Sequence, residues 1–236
     1  YGSTIWALPQ ILSRDDIKLP SIASHVGISS SCFVNFQLYG NCGTVKEIEV
    51  NNCAHGGDCF DEDVIPLLKN DLKTYNNGQK LVVLHIGAGS HGPLYKSRYP
   101  KEFQKFNPQC DSADVMNNCT KEELYNSFDN TILYVDYVVS SLIDTLEQSK
   151  LPYIFIYLSD HGESLLENNR VFHGMPPGID LPYEQAHIPL LVKSSIPIKV
   201  LKKDEYTQQD VYDTIIDLLS IDIDILKKDK VFIQKL

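Results

Sequence analysis

Asp160 and His161 are adjacent residues that follow a short apolar segment, residues 153–158. A carboxylate oxygen and an imidazole nitrogen are both good ligands for zinc. The neighbouring Gly162 lets the backbone turn sharply around an ion, and Glu163 follows it. An Asp-His pair alone is common in loops that bind nothing. Its position after an apolar segment and before a glycine favours a metal site.

Three other histidines could share this chemistry. His91 lies in a glycine-rich segment where neighbouring side chains shield it poorly, so we expect it to act at a site or to cap a turn. His85, inside the preceding apolar segment, is either buried and inert or faces the same site. His173 follows a polar loop, and on its own it would be interpreted as a surface histidine. Beside a bound phosphate, an imidazole can act as a general acid and base.

Thr4 lies immediately before an apolar stretch, residues 5–12. If that stretch is helical, Thr4 stands at its N-terminus, where the helix dipole and unpaired N–H groups favour an anion. A hydroxyl at such a place becomes a nucleophile when a metal or a base lowers its pKa. The alternative is an ordinary N-cap threonine, which is the commoner role.

The elements that must position these residues alternate between strand and helix. Apolar segments predict a buried parallel strand at residues 81–86 and a second buried strand at residues 153–158, each followed by a loop with a histidine. Further strands are predicted within residues 28–38 and 188–192. Helical patterns cover residues 61–75, a long segment after the capping box at Thr120, and a segment from Thr207 to about Leu219. This order indicates an α/β fold with a mostly parallel central sheet and helices on both faces. Ligands of such sheets bind at the carboxyl ends of the strands.

Length and charge limit the functional classes. A chain of 236 residues can form one substantial core. Its 31 acidic and 21 basic residues give a net charge of -10, which argues against nucleic acid as a partner. No apolar run approaches the roughly 20 residues that a membrane helix needs. The chain also has neither an initiator Met nor a signal segment, so we expect its targeting information to lie elsewhere.

The six cysteines form three local clusters in polar, turn-rich sequence, and no two are arranged as Cys-x-x-Cys. Many connectivities are possible, but local pairing is the simplest, and it implies an oxidising compartment. The alternative is six free or buried thiols. The predicted disulfides are Cys32–Cys42, Cys53–Cys59 and Cys110–Cys119.

Several segments in this order resemble the phosphoethanolamine transferases, enzymes that modify lipid A and include the mobilised colistin-resistance enzymes. The resemblance covers roughly residues 40–194. The segments that carry it are 89–95 (GSHGPLY), 98–100 (RYP), 106–110 (FNPQC), 126–131 (NSFDNT), 159–165 (SDHGESL) and 173–176 (HGMP).

This resemblance implies an alkaline-phosphatase and sulfatase fold, an α/β sandwich around zinc. It makes Thr4, five residues before Pro9, the nucleophile and a zinc ligand. It makes Asp160 and His161 the other zinc ligands. It also implies that His91 and His173 are catalytic and contact the phosphate or a second metal. His85 is a weaker candidate for substrate binding.

The resemblance also implies a reaction in two steps. The threonine attacks the phosphorus of phosphatidylethanolamine and releases diacylglycerol, with the alkoxide stabilised by zinc. The phosphoethanolamine then passes to lipid A, lipooligosaccharide or another envelope acceptor.

Family members are anchored by an N-terminal membrane domain at the periplasmic face of the bacterial inner membrane, and we expect a monomer. Their remaining zinc ligand is a glutamate on the first strand of the domain. Residues 1–236 are therefore expected to be a catalytic domain without the membrane domain and that strand.

Two alternatives stay open. One is another enzyme of the same fold, such as a sulfatase or a phosphoglycerol transferase. A sulfatase requires a Cys or Ser in a Cys/Ser-x-Pro-x-Arg setting, and nothing like it surrounds Thr4. The other is a binding domain that keeps the fold without a complete catalytic site.

Overall fold

The computed structural model describes residues 2–35, 38–51, 53, 59–87, 91–175 and 178–236. The motif residues Gly89, Ser90 and Pro176 lie outside the described residues. The helices are α1 (Thr4–Leu12), α2 (Leu19–His25), α3 (Ile65–Lys73), α4 (Val115–Asn118), α5 (Lys121–Ser149), α6 (Tyr183–Ala186) and α7 (Gln208–Leu218). The strands are β1 (Ser13–Arg14), β2 (Ile17–Lys18), β3 (Ser29–Val34), β4 (Glu47–Glu49), β5 (Lys80–His85), β6 (Ile154–Leu158), β7 (Ser164–Leu165), β8 (Val171–Phe172), β9 (Leu190–Ser194), β10 (Ile198–Val200) and β11 (Ile233–Lys235).

The strands that matter for the site belong to two sheets. β3 pairs in parallel with both β4 and β5, so that Val34 lies opposite His85 at the carboxyl end of the sheet. β6 pairs with β9 in antiparallel orientation, with Leu158 opposite Leu190. Within the described residues, β5 pairs only with β3, and β6 pairs only with β9.

Two apolar cores lie on opposite sides of β5. Leu81 and Val83 pack into a core formed with α1, α2 and α7. Val82 and Leu84 pack into a second core formed with α3 and α5. This alternation follows from the two-residue period of a strand, which sends successive side chains to opposite faces. The fold is therefore the predicted α/β sandwich with helices on both faces.

The capping box that predicts α5 is present in the structure. The hydroxyl of Thr120 accepts a hydrogen bond from the backbone N–H of Glu123 at 3.2 Å. In return, the Glu123 carboxylate accepts from the N–H of Thr120 at 2.7 Å. The helix ends at Ser149, because the next residue, Lys150, has a left-handed backbone (φ 59°) that cannot continue it. None of the helices in the described part of the chain is both long and apolar enough to cross a membrane.

A cavity of about 940 Å³ separates β5 from β6. Side chains of both strands line it, together with residues of α1, α5 and α7. Most of the two strands is therefore half-buried, which corrects the expectation that residues 81–86 and 153–158 are fully buried. The physical reason is that the facing edges of β5 and β6 do not pair with each other in the described structure.

All three local disulfides expected from the sequence are present. They join Cys32 to Cys42, Cys53 to Cys59 and Cys110 to Cys119. The sulfurs of Cys53 and Cys59 also lie close to a carboxylate oxygen of Asp63. Because these sulfurs are bonded to each other, they offer no thiolate to a metal.

Replacing both Cys32 and Cys42 with alanine should lower the free energy of unfolding by about 3 kcal/mol, the chain-entropy value for a loop of this size. Urea denaturation of the double variant and the wild type measures the loss. Because both cysteines are fully buried, the measured loss also includes the packing of the two sulfurs. Unchanged stability of the double variant would show that this bond does not stabilise the domain.

Candidate active site

Thr4 is the first residue of α1, and its side chain is buried. Ser3 precedes it with an extended backbone and occupies the N-cap position. The alternative role of Thr4 as the N-cap residue is therefore wrong. The first intrahelical bond runs from the N–H of Trp6 to the carbonyl of Ser3 at 3.0 Å. The N–H groups of Thr4 and Ile5 precede it, which is the arrangement that favours an anion at a helix N-terminus.

His161 follows β6 and contacts Thr4. The Thr4 Oγ1 atom lies 3.2 Å from His161 Nε2. On the other side of the ring, His161 Nδ1 lies 3.0 Å from the carbonyl oxygen of Gly162. Because a carbonyl oxygen only accepts, Nδ1 must carry the proton. In the neutral ring, Nε2 is then the acceptor, and the Thr4 hydroxyl donates to it.

Burial lowers the pKa of His161, although the Asp160 carboxylate opposes this shift. The neutral ring is consequently favoured at neutral pH. Neutral imidazole is the form of histidine that binds metals.

Asp160 supplies a carboxylate oxygen next to the same ring nitrogen. Its Oδ2 atom lies 3.5 Å from His161 Nε2. This oxygen is buried and has no hydrogen-bond partner among the described residues. The backbone carbonyl of Asp160 accepts a hydrogen bond from Gln208, which ties this end of β6 to α7. An unpaired buried carboxylate oxygen is costly unless a cation compensates it.

The donor set fits a zinc ion. Thr4 Oγ1 and Asp160 Oδ2 lie 3.2 and 3.5 Å from His161 Nε2. Two atoms that bind one tetrahedral zinc at about 2.0 Å lie about 3.3 Å from each other. Both separations from His161 Nε2 therefore match those between ligands of one zinc ion, and the three residues could hold it with a fourth position left for another ligand.

His173 and His91 extend the cluster beyond His161. The centre of the His173 ring lies 4.0 Å from that of His161 and 4.7 Å from that of His91. His91 Nδ1 lies 2.7 Å from the carbonyl oxygen of Gly92, so it donates its proton there. A side chain at Gly92 would overlap the ring of Phe172, the residue before His173. The glycine thus permits the close approach of the two histidine-bearing segments.

Glu163 lies buried at the centre of this arrangement. One carboxylate oxygen accepts hydrogen bonds from His173 Nδ1 at 3.0 Å and from the N–H of Gly92 at 3.3 Å. The other oxygen accepts from the hydroxyl of Tyr95. The sequence analysis treats Glu163 only as a nearby carboxylate, and it assigns no role to Tyr95, which ends the segment of residues 89–95. The role of Glu163 could have been suspected from its position three residues after Asp160, within the segment of residues 159–165.

The structure brings together Thr4, Asp160, His161, His91 and His173, and it places His85 on the same cavity. Thr4, Asp160, His161 and His91 line one cavity, and His85 lines it at the end of β5. His173 joins them through its ring contacts. The catalytic, metal-binding and substrate-binding roles of these residues stay predictions.

Comparison with known proteins agrees with the fold and the motifs. The sulfatase family profile matches residues 23–221, so the chain belongs to the sulfatase family. It is 37% identical over 213 residues to phosphoethanolamine transferase EptA of Helicobacter pylori. This alignment covers 89% of the chain and 39% of the relative, so the chain spans about two fifths of that protein.

Two solved structures are similar to the chain. The soluble domain of lipooligosaccharide phosphoethanolamine transferase A from Neisseria meningitidis gives a TM-score of 0.82 at 29% identity, covering 97% of this chain and 77% of that domain. The C-terminal periplasmic domain of phosphoethanolamine transferase EptC from Campylobacter jejuni gives 0.76 at 29% identity, covering 97% and 78%. Within the sulfatase family, the resemblance to phosphoethanolamine transferases is thus confirmed.

Proposed function

We propose that the chain is the catalytic domain of a zinc-dependent phosphoethanolamine transferase, with Thr4 as the nucleophile. One observation carries this proposal. The buried Thr4 hydroxyl, at the N-terminus of α1, lies 3.2 Å from His161 Nε2, which lies 3.5 Å from an unpaired oxygen of Asp160. The names of the similar proteins support phosphoethanolamine as the transferred group.

Thr4, Asp160 and His161 would hold the zinc. When bound, zinc lowers the pKa of a hydroxyl ligand and stabilises negative charge on phosphoryl oxygens. Two alternative roles for Asp160, a salt bridge or a hydrogen-bonded turn, do not account for its unpaired buried oxygen. The donor set of two oxygens and one nitrogen is one that zinc accepts.

The remaining residues bind phosphate and move protons. The first N–H groups of α1 face the phosphoryl oxygens, where the helix dipole favours negative charge. The Thr4 hydroxyl first gives its proton to the imidazole of His91 or His173. Thr4 Oγ1 then attacks the phosphorus of phosphatidylethanolamine, the bond from phosphorus to the diacylglycerol oxygen breaks, and that oxygen takes the proton from the imidazole. In the second step the acceptor oxygen gives its proton to the same imidazole and attacks the phosphorus, and Thr4 Oγ1 leaves as the alkoxide. His85, at the carboxyl end of β5, contributes to substrate binding.

The donor, the acceptor and the location form the rest of the proposal. Phosphatidylethanolamine is the donor, and lipid A, lipooligosaccharide or another envelope component is the acceptor. The whole protein acts as a monomer at the periplasmic face of the inner membrane, held by a membrane domain. The acceptor is supported by the similar domain that is named a lipooligosaccharide phosphoethanolamine transferase. The location is supported by the similar domain that is named periplasmic.

The cavity between β5 and β6 supports the expected domain organisation. Apolar side chains of both strands line it, and the facing strand edges are unpaired with each other. A further strand of the whole protein, inserted here, would join the two sheets into one.

The proposal is tested with the whole protein in vesicles that contain phosphatidylethanolamine and lipid A, with zinc present. We expect the mass of lipid A to increase by phosphoethanolamine and diacylglycerol to be released in equal amount. If the protein leaves lipid A unmodified and hydrolyses a sulfate ester that is added separately, it is a sulfatase instead. A protein that binds these lipids but turns over neither would be a binding domain of the same fold.

A further inference from the structure

Three donors from two segments of the chain converge on Glu163. They are the N–H of Gly92, the hydroxyl of Tyr95 and Nδ1 of His173. A carboxylate is an acceptor-only group, so its two oxygens satisfy all three without competition. The side chain is only 5% exposed, so water does not replace these bonds.

The contact with His173 determines which ring nitrogen is available for chemistry. Because Glu163 accepts from Nδ1, the proton of the neutral ring resides there and Nε2 is the basic nitrogen. The ring lies against His161 and His91, so it is held within the cluster that contacts Thr4. Rotation of the ring would break its bond to a buried carboxylate.

Tyr95 holds the carboxylate in turn. Its ring is buried and packs edge-on against Phe128 of α5, with the ring centres 5.6 Å apart. The hydroxyl therefore has a fixed position from which it donates to Glu163. A chain of contacts runs from the core at Phe128 to the imidazole of His173.

We propose that Glu163, supported by Tyr95, is a positioning residue that holds His173 in the tautomer and orientation needed for proton transfer. This inference rests on the proposed function. Glu163 does not touch the substrate in this proposal, and it acts through His173. Outer partners that orient an active histidine in this way typically contribute about 10- to 100-fold.

A double-mutant cycle in the whole protein tests this proposal. Glu163→Gln keeps the size of the side chain and removes the carboxylate. We expect kcat for transfer from phosphatidylethanolamine to lipid A to fall about 10- to 100-fold, with KM nearly unchanged. In a His173→Ala background, whose residual activity is low, the same substitution should cause no further loss, because the residue through which Glu163 acts is gone.

A second pair of variants covers the case in which Glu163→Gln does not fold. Tyr95→Phe keeps the buried ring and the carboxylate and removes one donor, so we expect a loss of kcat of several-fold that also disappears in the His173→Ala background. Thermal unfolding and zinc content establish that each variant is folded and loaded.

The outcomes separate the two proposals. If the wild type does not transfer phosphoethanolamine, the proposed function fails. If the wild type transfers and Glu163→Gln has the same kcat, the positioning role is wrong. An equal loss in both backgrounds would also overturn it, because that is the result expected of a residue that only stabilises the fold.

Discussion

Replacing Thr4 with alanine should reduce phosphoethanolamine transfer by the whole protein on the order of 10⁴-fold or more, as loss of a nucleophile does in other covalent enzymes. The fold should remain, because Thr4 is the first helical residue and Ser3 occupies the cap position. Alanine is favourable inside a helix, and the lost hydrogen bond to His161 is worth only about 1 kcal/mol. Transfer kinetics and urea denaturation measure the two effects.

Ser3→Ala is the matched control for this substitution. Ser3 carries the neighbouring hydroxyl, and its side chain makes no capping hydrogen bond. We expect near wild-type transfer from it. Thr4→Ser keeps a hydroxyl at the site and should retain measurable activity. A normal transfer rate for Thr4→Ala would exclude the covalent mechanism through this residue.

Asp160→Asn should remove the bound zinc and, with it, about 10³-fold or more of the activity. Asparagine has nearly the same shape but lacks the charge that attracts the cation. When a chelator has removed the metal from both proteins, the variant should be at least as stable as the wild type, because it no longer buries an unpaired carboxylate oxygen. Metal analysis after dialysis and thermal unfolding in chelator measure both effects.

Asp111→Asn is the control for the metal measurement. This carboxylate is exposed, pairs with Lys96 at 2.6 Å and does not line the cavity that contains Asp160. Its replacement should leave the zinc content unchanged. Zinc retained by Asp160→Asn at the wild-type level would mean that this residue is not a ligand.

The sequence predicts the strands β3, β5, β6 and β9 and the long helices, because their signals are local, but it misses the short strands. The capping box at Thr120 and the apolar stripe after it locate α5, and the box at Thr207 locates α7. Local spacing also identifies the three disulfides. The incomplete burial of β5 and β6 depends on which strand edges meet, and no periodicity within one strand carries that information.

The candidate site is predictable in part. Asp160 and His161 are visible as a pair, but the position of His173 depends on the short hairpin of β7 and β8. This hairpin pairs Ser164 with Phe172 over only two residues per strand, which is too short for a periodic signal. The convergence of Tyr95 and Glu163 joins residues 68 positions apart, so only the folded chain reveals it.

The central claim is that Thr4 carries the phosphoethanolamine between donor and acceptor. Peptide mass spectrometry of the whole protein after exposure to phosphatidylethanolamine, without acceptor, tests it most directly. We predict a phosphoethanolamine adduct on Thr4 that is absent from Thr4→Ala and disappears when lipid A is added. An adduct on a different residue, or transfer to lipid A while Thr4 stays unmodified throughout, would contradict the account.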